Sequence, residues 1–349
     1  MPSILEDVAN PAKILLIGKS GAGKTGSLAS LVAAGYRLRI IDTDKGVRPL
    51  RSLLTDGRYP YAKIVKDQGI DLTTAVRFIP IDLKMKLRTI TTKLPNGNSK
   101  TETLLAPVEA KAWAQILGML DHWKEDDGTD LGPLSSWDTH DVLVIDSFST
   151  LAKCVYYFSQ SMNGRLGARD QGYDYQRDIG EAQSQLTRLL ELLYASSIPC
   201  NVIIITHITW VDDSAGVAQR PRVGEGQNAE IVMTQSDGYP SAIGRALSPQ
   251  MGKYFNDSFT VRATGTGEAV RRTISTVPQE GVIAKNSVFL EREYPVSHGL
   301  ATIFSAILGY PLPPGFVENL SPSRRSAAPP SGAPAAKPSD QRSPAVASA

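Results

Sequence analysis

The eight residues Gly18, Lys19, Ser20, Gly21, Ala22, Gly23, Lys24 and Thr25 constrain this chain more than any other stretch. They fit the spacing G-x-x-x-x-G-K-[ST] without a gap. An apolar run, KILLI (13–17), precedes them and a helical pattern over 24–34 follows. Strand, glycine loop and helix in that order make a phosphate site. Glycines let backbone N–H groups turn inward and approach an anion. The helix that starts near Lys24 points the positive end of its dipole at the same place. Lys24 is expected at the β- and γ-phosphates of a nucleotide and the Thr25 hydroxyl on Mg²⁺. Gly35 is expected to close the helix as its C′ residue.

Around this unit, nearly continuous apolar runs predict strands over 37–42, 76–81, 141–146 and 201–206. Runs of that kind suit parallel strands buried on both faces. Helical patterns cover 108–124, 176–196 and 297–308. Their alternation predicts an α/β fold with a doubly wound, mostly parallel sheet. Residues 258–276 read as two strands around a glycine-containing turn, an antiparallel addition near the C-terminal end. Residues 84–105 alternate polar and apolar residues around PNGN, so an inserted hairpin is expected there.

Three further strand ends carry chemistry. DVLVIDSFSTL (141–151) ends a strand in Asp146, where a carboxylate beside the phosphate loop would help hold Mg²⁺. RIIDTDKG sets Asp42 and Asp44 just past the second strand, and Asp44 is the candidate for orienting the attacking water. VIIITHITW sets Thr206 and His207 at the end of the fifth, with His207 a candidate γ-phosphate sensor. Asp44 also fits a turn or N-cap residue, and His207 a structural histidine.

The order Lys24/Thr25, Asp44, Asp146–Ser147, His207 resembles the core of RecA-type P-loop ATPases. The resemblance covers roughly residues 12–290 and lies nearest the phage-encoded RecA-core proteins, including the Sak-type single-strand annealing recombinases. It implies a RecA-like ATPase core over 1–318, ATP and Mg²⁺ as cofactors, and a homo-oligomeric ring or filament. It also implies DNA-stimulated hydrolysis in recombination or annealing, beside a phage or host replication or recombination protein. Two positions depart from the pattern. The acid is usually Glu and is here the shorter Asp44, and the sensor is usually Gln and is here His207. A rival resemblance is to the ParA/MinD type, a nucleotide-dependent switch that binds protein partners. Lys19 and IIDTDKG fit that group, while Ser20 and the absence of a Pro-containing turn after Asp146 do not.

By the RecA resemblance, two segments are expected to contact single-stranded DNA. One is 159–177, with Arg165, Arg169, Tyr173, Tyr175 and Arg177. The other is 209–228, with Trp210, Arg220 and Arg222. Arginines track phosphates and aromatic faces stack on bases with little sequence preference. Neighbouring Asp170, Asp174, Asp212, Asp213 and Glu225 equally fit ordinary solvated loops. The same resemblance calls for a cation reaching a neighbouring subunit's site, for which Lys253 is first choice and Arg245 second.

Composition bounds the rest. The chain has 349 residues, 42% hydrophobic and 21% charged, as globular proteins do. Residues 319–349 are Pro-, Ala- and Ser-rich. They carry Arg324, Arg325, Lys337 and Arg342 against Asp340, so a disordered basic tail is expected. That tail accounts for the net charge of +2, so any nucleic-acid contact by the core must come from a local patch. Cys154 and Cys200 lack metal-ligand spacing and read as small core residues in a reducing compartment. With no signal-peptide pattern and no membrane span, a cytoplasmic protein is expected, in the infected host if phage-encoded.

Overall fold

The computed structural model describes residues 10–93, 97–166, 172–212, 236–279 and 281–321. Along the chain run β1 (Lys13–Ile17), α1 (Lys24–Ala33), β2 (Arg37–Asp42), α2 (Val47–Thr55), α3 (Pro60–Asp67), the single turn α4 (Leu72–Ala75) and β3 (Val76–Pro80). The hairpin β4 (Met85–Lys93) and β5 (Ser99–Pro107) comes next, then α5 (Lys111–Asp121) and two short strands, β6 (Trp123–Lys124) and β7 (Asp130–Gly132). They are followed by β8 (Asp141–Asp146), α6 (Phe148–Met162), α7 (Gly172–Tyr194) and β9 (Asn201–Thr206). Next are β10 (Ile208–Asp212), β11 (Ser236–Pro240), the turn α8 (Gly244–Leu247), and β12 (Asp257–Thr264). The last elements are β13 (Arg271–Ser275), β14 (Glu293–Pro295), α9 (Gly299–Leu308) and α10 (Phe316–Leu320).

Eight strands form the main sheet in the order β14-β13-β12-β1-β9-β8-β2-β3. β12 through β3 are parallel, and β13 and β14 add antiparallel at one edge. Every residue of β1, β8 and β9 is buried. Alternate side chains explain this, because they enter two different cores. Ile14, Leu16, Val142, Val144, Ile203 and Ile205 pack under α1, α2, α3 and α9. Leu15, Ile17, Leu143, Ile145, Val202 and Ile204 pack against α5, α6 and α7. The phosphate-loop strand is thus wedged between two layers. α1 ends in a Schellman motif: Tyr36 N donates to Leu31 O at 3.0 Å and Gly35 N to Val32 O at 2.9 Å, with Gly35 at φ 94°.

The sequence reading missed α2, α3 and α6, and with them the short α4, α8 and α10. α2 and α3 are short. α6 carries aromatic and β-branched residues, buries Phe148, Leu151, Ala152 and Val155, and so lacks a clean polar face. In consequence the described parts of the first expected DNA segment, 159–166 and 172–177, are mostly helical: α6 runs to Met162 and α7 starts at Gly172. The helix expected over 108–124 is shorter, because Trp123 and Lys124 leave it to pair with β7. The inserted hairpin is present and forms a sheet of its own, with Leu87 opposite Leu105. At the C-terminal end Phe316 and Leu320 of α10 are buried. The tail from residue 322 lies outside the described residues. Among those described, no helix is long and apolar enough to cross a membrane.

Candidate nucleotide site

A parallel sheet exposes its strand C-termini on one edge, and that edge gathers the site. β1 ends at Ile17 and the chain turns through Gly18 to Gly23 before α1 begins. Gly21 and Gly23 adopt φ of 77° and 104°, which side-chain-bearing residues rarely do. Gly18 is tight for a different reason: a Cβ there would lie 2.5 Å from the Val261 carbonyl oxygen on β12. The Lys24 ammonium bridges the loop, donating to Gly18 O at 2.6 Å and Lys19 O at 2.9 Å. Burial pulls its pKa down while Asp146 and Asp44 oppose that shift. Lys19 and Ser20 are exposed, and Ala22 is buried.

Asp146 closes β8 opposite Asp42 of β2. Its Oδ2 accepts a hydrogen bond from Thr25 Oγ1 at 2.5 Å. Burial raises its pKa to about 6; the Thr25 bond and Lys24 act against that shift, and the charges of Asp44 and Asp42 add to it. Among the described residues no three His, Cys, Asp or Glu side chains group into a metal cage. One hydroxyl and one carboxylate fit Mg²⁺, which binds through few protein ligands and takes the rest from water and phosphate oxygens. Asp42 is otherwise engaged, accepting from Gly46 N at 2.9 Å. Gly46 lies directly over the pair: a Cβ there would stand 3.3 Å from Asp146 Oδ2 and 3.5 Å from Thr25 Oγ1.

Asp44 and His207 meet, although 163 positions separate them. β9 lies between β1 and β8 in the sheet, so its end delivers His207 to the loop side of Asp146. His207 Nε2 lies 3.2 Å from Asp44 Oδ2. The same oxygen accepts from Ser147 Oγ at 2.7 Å, and Thr150 Oγ1 donates to Oδ1. Burial would raise the Asp44 pKa, but the bonds from Thr150, Ser147 and His207 outweigh it and hold the group below its ordinary value. Ser149 Oγ accepts from His207 N at 3.1 Å, and Gly18 N donates to Thr206 O at 3.2 Å, joining β9 to the loop. The DSFST stretch therefore supplies a carboxylate and three hydroxyls to one site. The sequence reading used only the carboxylate.

These groups open on one cleft of about 1590 Å³, which also includes Tyr59, Tyr61 and residues 269–273. Arg272 was not found by sequence. It arrives on the antiparallel strand β13, and its Nε donates to Gly21 O at 3.5 Å. Lys253, the first cation chosen from sequence, does not line this cleft. Lys253 Nζ donates to Gln250 Oε1 at 3.1 Å and sits 4.8 Å from the centre of the Tyr254 ring. The Arg245 side chain lies outside the described residues.

The expected DNA residues divide. Arg165 is paired with Asp174 at 3.3 Å and with the fully buried Asp178 at 3.6 Å, so its charge is internally matched. Arg177 is exposed on α7. Trp210 is 41% exposed on β10, in a hairpin that leaves the sheet immediately after His207. Arg169, Arg220, Arg222 and the Tyr173 side chain lie outside the described residues.

A glycine loop opening a buried helix, with a lysine across it and a Thr–Asp pair beside it, defines a P-loop nucleotide-binding fold. Residues 10–288 match the family model described as an AAA domain, and the chain belongs to that family. No curated protein matches the chain by sequence. Similar solved structures include a KaiC-like protein from the hyperthermophilic archaeon Pyrococcus horikoshii OT3, at 11% identity over 81% of this chain and 84% of that one, with a TM-score of 0.35. Another is the flagellar accessory protein FlaH from Methanocaldococcus jannaschii, at 8% identity over the same shares, also with a TM-score of 0.35.

Proposed function

We propose that this protein is a Mg²⁺-dependent ATPase whose turnover is coupled to single-stranded DNA, and that it serves recombination or annealing in the manner of the phage Sak-type RecA-core proteins. The observation that carries the ATPase reading is the convergence of Lys24, the Thr25–Asp146 pair and the Asp44–His207 pair on one cleft. In this reading backbone N–H groups of residues 18–25 receive the phosphates, and Lys24 turns from the Gly18 and Lys19 carbonyls to the β- and γ-phosphates. Thr25 and Asp146 would hold Mg²⁺, whose positive charge offsets charge on the transferring phosphoryl group.

A carboxylate offers about four acceptor sites, and Asp44 uses three of them on Ser147, Thr150 and His207. The remaining site orients the attacking water. A carboxylate held below its ordinary pKa is a weak base, so Asp44 positions the water and stays ionised across the neutral range. His207 fixes the direction of that carboxylate. Arg272, at the loop's outer edge, is a further cation on the cleft within the same chain. Lys253 remains the candidate for a contribution to a neighbouring subunit in a ring or filament.

Support for DNA is the exposed Trp210 on the hairpin that continues from His207, with the exposed Arg177 on α7. The deciding experiment is ATP hydrolysis with and without single-stranded DNA at low and high salt, with Lys24→Ala as the control. Stimulation that fades with salt and disappears in Lys24→Ala is the expected result. Turnover indifferent to DNA, with no DNA binding in either nucleotide state, would overturn the coupling and favour a switch that acts on protein partners.

A further inference from the structure

The ribbon formed by β4 and β5 takes no part in the nucleotide cleft. It leaves the main sheet just past β3, where Ile81 N donates to Asp42 O at 2.8 Å. β2 and β3 are parallel, so the ribbon rises from the same sheet edge that carries the phosphate loop. Its strands pair without a break from Met85–Pro107 to Lys93–Ser99, in a sheet of their own. Nine residues at about 3.4 Å each make a ribbon roughly 30 Å long. Ala106 and Pro107 are buried at its foot, whereas Lys84, Lys86 and Lys100 are exposed. A two-stranded ribbon is marginal on its own in water, and a partner laid along it would stabilise it.

Charge points to the kind of partner. Residues 84–105 hold five cations, Lys84, Lys86, Arg88, Lys93 and Lys100, against the single carboxylate of Glu102. With this ribbon and the basic tail set aside, the rest of the chain is net negative. The ribbon is therefore a local positive patch on an acidic core. Glu102 lies 2.6 Å from Lys100, and the flanking Asp82 and Glu109 pair with Lys45 and Lys111 at 2.7 and 3.0 Å. One face sets Thr89 opposite Thr103 and Thr91 opposite Thr101, with hydroxyl oxygens 3.4 and 3.2 Å apart. All four threonines are exposed, and the exposed Leu87 and Leu105 continue that face toward the foot.

Unpaired strands are gripped by aromatic rings, and residues 84–105 contain no Phe, Tyr or Trp. A duplex needs none. The major groove of B-form DNA, about 12 Å wide, admits a two-stranded β-ribbon. Lysine and arginine meet the phosphates, while threonine offers its hydroxyl to phosphate oxygens and its methyl to the thymine methyl. We propose that β4–β5 is an arm that docks in the major groove of duplex DNA, a nucleic-acid surface separate from the nucleotide cleft. This goes beyond the function proposed above and requires neither hydrolysis nor a bound single strand. In annealing, a duplex is the product, and the arm would hold it on the edge of the sheet that carries the cleft.

The test uses the full chain without nucleotide and a labelled DNA duplex of about 20 base pairs, read by anisotropy between about 50 and 200 mM salt. Wild-type affinity should fall steeply with salt. The variant Lys86→Gln/Arg88→Gln/Lys93→Gln/Lys100→Gln should bind about ten-fold more weakly or worse at low salt. Its log–log salt slope should flatten by about 2 to 4, since each lost phosphate contact removes about 0.9. Binding of a thymidine single strand should fall by less than about three-fold. Should the quadruple variant misfold, Lys86→Gln alone, at an exposed position, should flatten the slope by about 1. Unchanged duplex affinity and slope, or no duplex binding by the wild type, would overturn the proposal. An equal loss on the single strand would do so too, making the ribbon a general phosphate surface. An RNA duplex bound as tightly as DNA would overturn groove docking, because the A-form major groove is too narrow to enter. Aggregation of the variant with full duplex affinity would also overturn it and leave the lysines as guards of the ribbon's free strand edges.

Discussion

Asp141, at the start of β8, offers a sharp test of how the sheet is held together away from the nucleotide. Its carboxylate is 8% exposed and accepts from Arg37 Nε at 2.9 Å and Nη2 at 2.8 Å. Arg39 Nη2 lies 3.3 Å from the same group, and the Arg39 side chain is 7% exposed. Burial lowers the Arg39 pKa and Asp141 counters that shift. Replacing Asp141 by Ala leaves Arg39, among the described residues, with hydrogen bonds to the carbonyls of Thr74 and Leu38 and the more distant charge of Glu125. Breaking a buried pair on one side costs about 3–5 kcal/mol, because the other charge stays desolvated. Arg37, at 41% exposed, rehydrates and adds at most about 1 kcal/mol.

Urea unfolding should accordingly show a large fall in midpoint for Asp141→Ala with the slope unchanged. The double variant Asp141→Leu/Arg39→Met removes both charges together and should recover most of that loss, to within about 1 kcal/mol of the wild type. High salt should change the single-variant deficit little, since the pair is shielded from solvent. A deficit under about 1 kcal/mol for Asp141→Ala, or a double variant no better than the single one, would refute the reasoning.

Gly46→Val should leave the fold intact, as φ there is −88°, but should crowd the Thr25–Asp146 pair. Hydrolysis titrated with Mg²⁺ should then need about ten-fold more metal or more for half-maximal rate. Gly18→Ala drives a Cβ against the Val261 carbonyl, and thermal or urea melts should record about 1–3 kcal/mol of destabilisation with weaker nucleotide binding. Lys13 is buried, donates to Ile198 O and Cys200 O, and has its pKa lowered by burial from 10.5 to about 8. Between those values the unfolded chain binds the extra proton. Wild-type stability relative to Lys13→Met should therefore rise from pH 8 to 10.5, by at most about 3 kcal/mol. Parallel melts of the two proteins across that range check the sign, and a falling difference would contradict it.

Legibility in the sequence followed the range of the interaction concerned. The strands 141–146 and 201–206 read correctly because burial on both faces leaves a run of consecutive apolar residues, and 37–42 keeps Leu38, Ile40 and Ile41 around the buried Arg39. α6 did not, since Tyr156, Tyr157 and Phe158 give it a broad apolar surface between the sheet and α7, without the narrow stripe that marks a surface helix. Arg165 looked like a free cation in a glycine-containing loop. Its partners Asp174 and Asp178 lie on the next helix, and only the return of α7 along α6 brings them within reach.

The sequence alone determined the phosphate loop, because its residues are contiguous and each acts through backbone geometry that a single Gly, Lys or Thr dictates. It determined Asp146 nearly as well, since a parallel strand must end on the edge where the loop ends. What only the tertiary structure decided is everything that depends on strand order. β9 lies between β1 and β8, and that placement puts His207 on Asp44. β13 runs antiparallel beside β12, and that brings Arg272 over Gly21. The packing of α6 against α7 puts Tyr156, Tyr157 and Tyr175 in one pocket with Asp44. A strand's place in a sheet is set by how two cores close around it, a collective packing outcome that no local run of residues records.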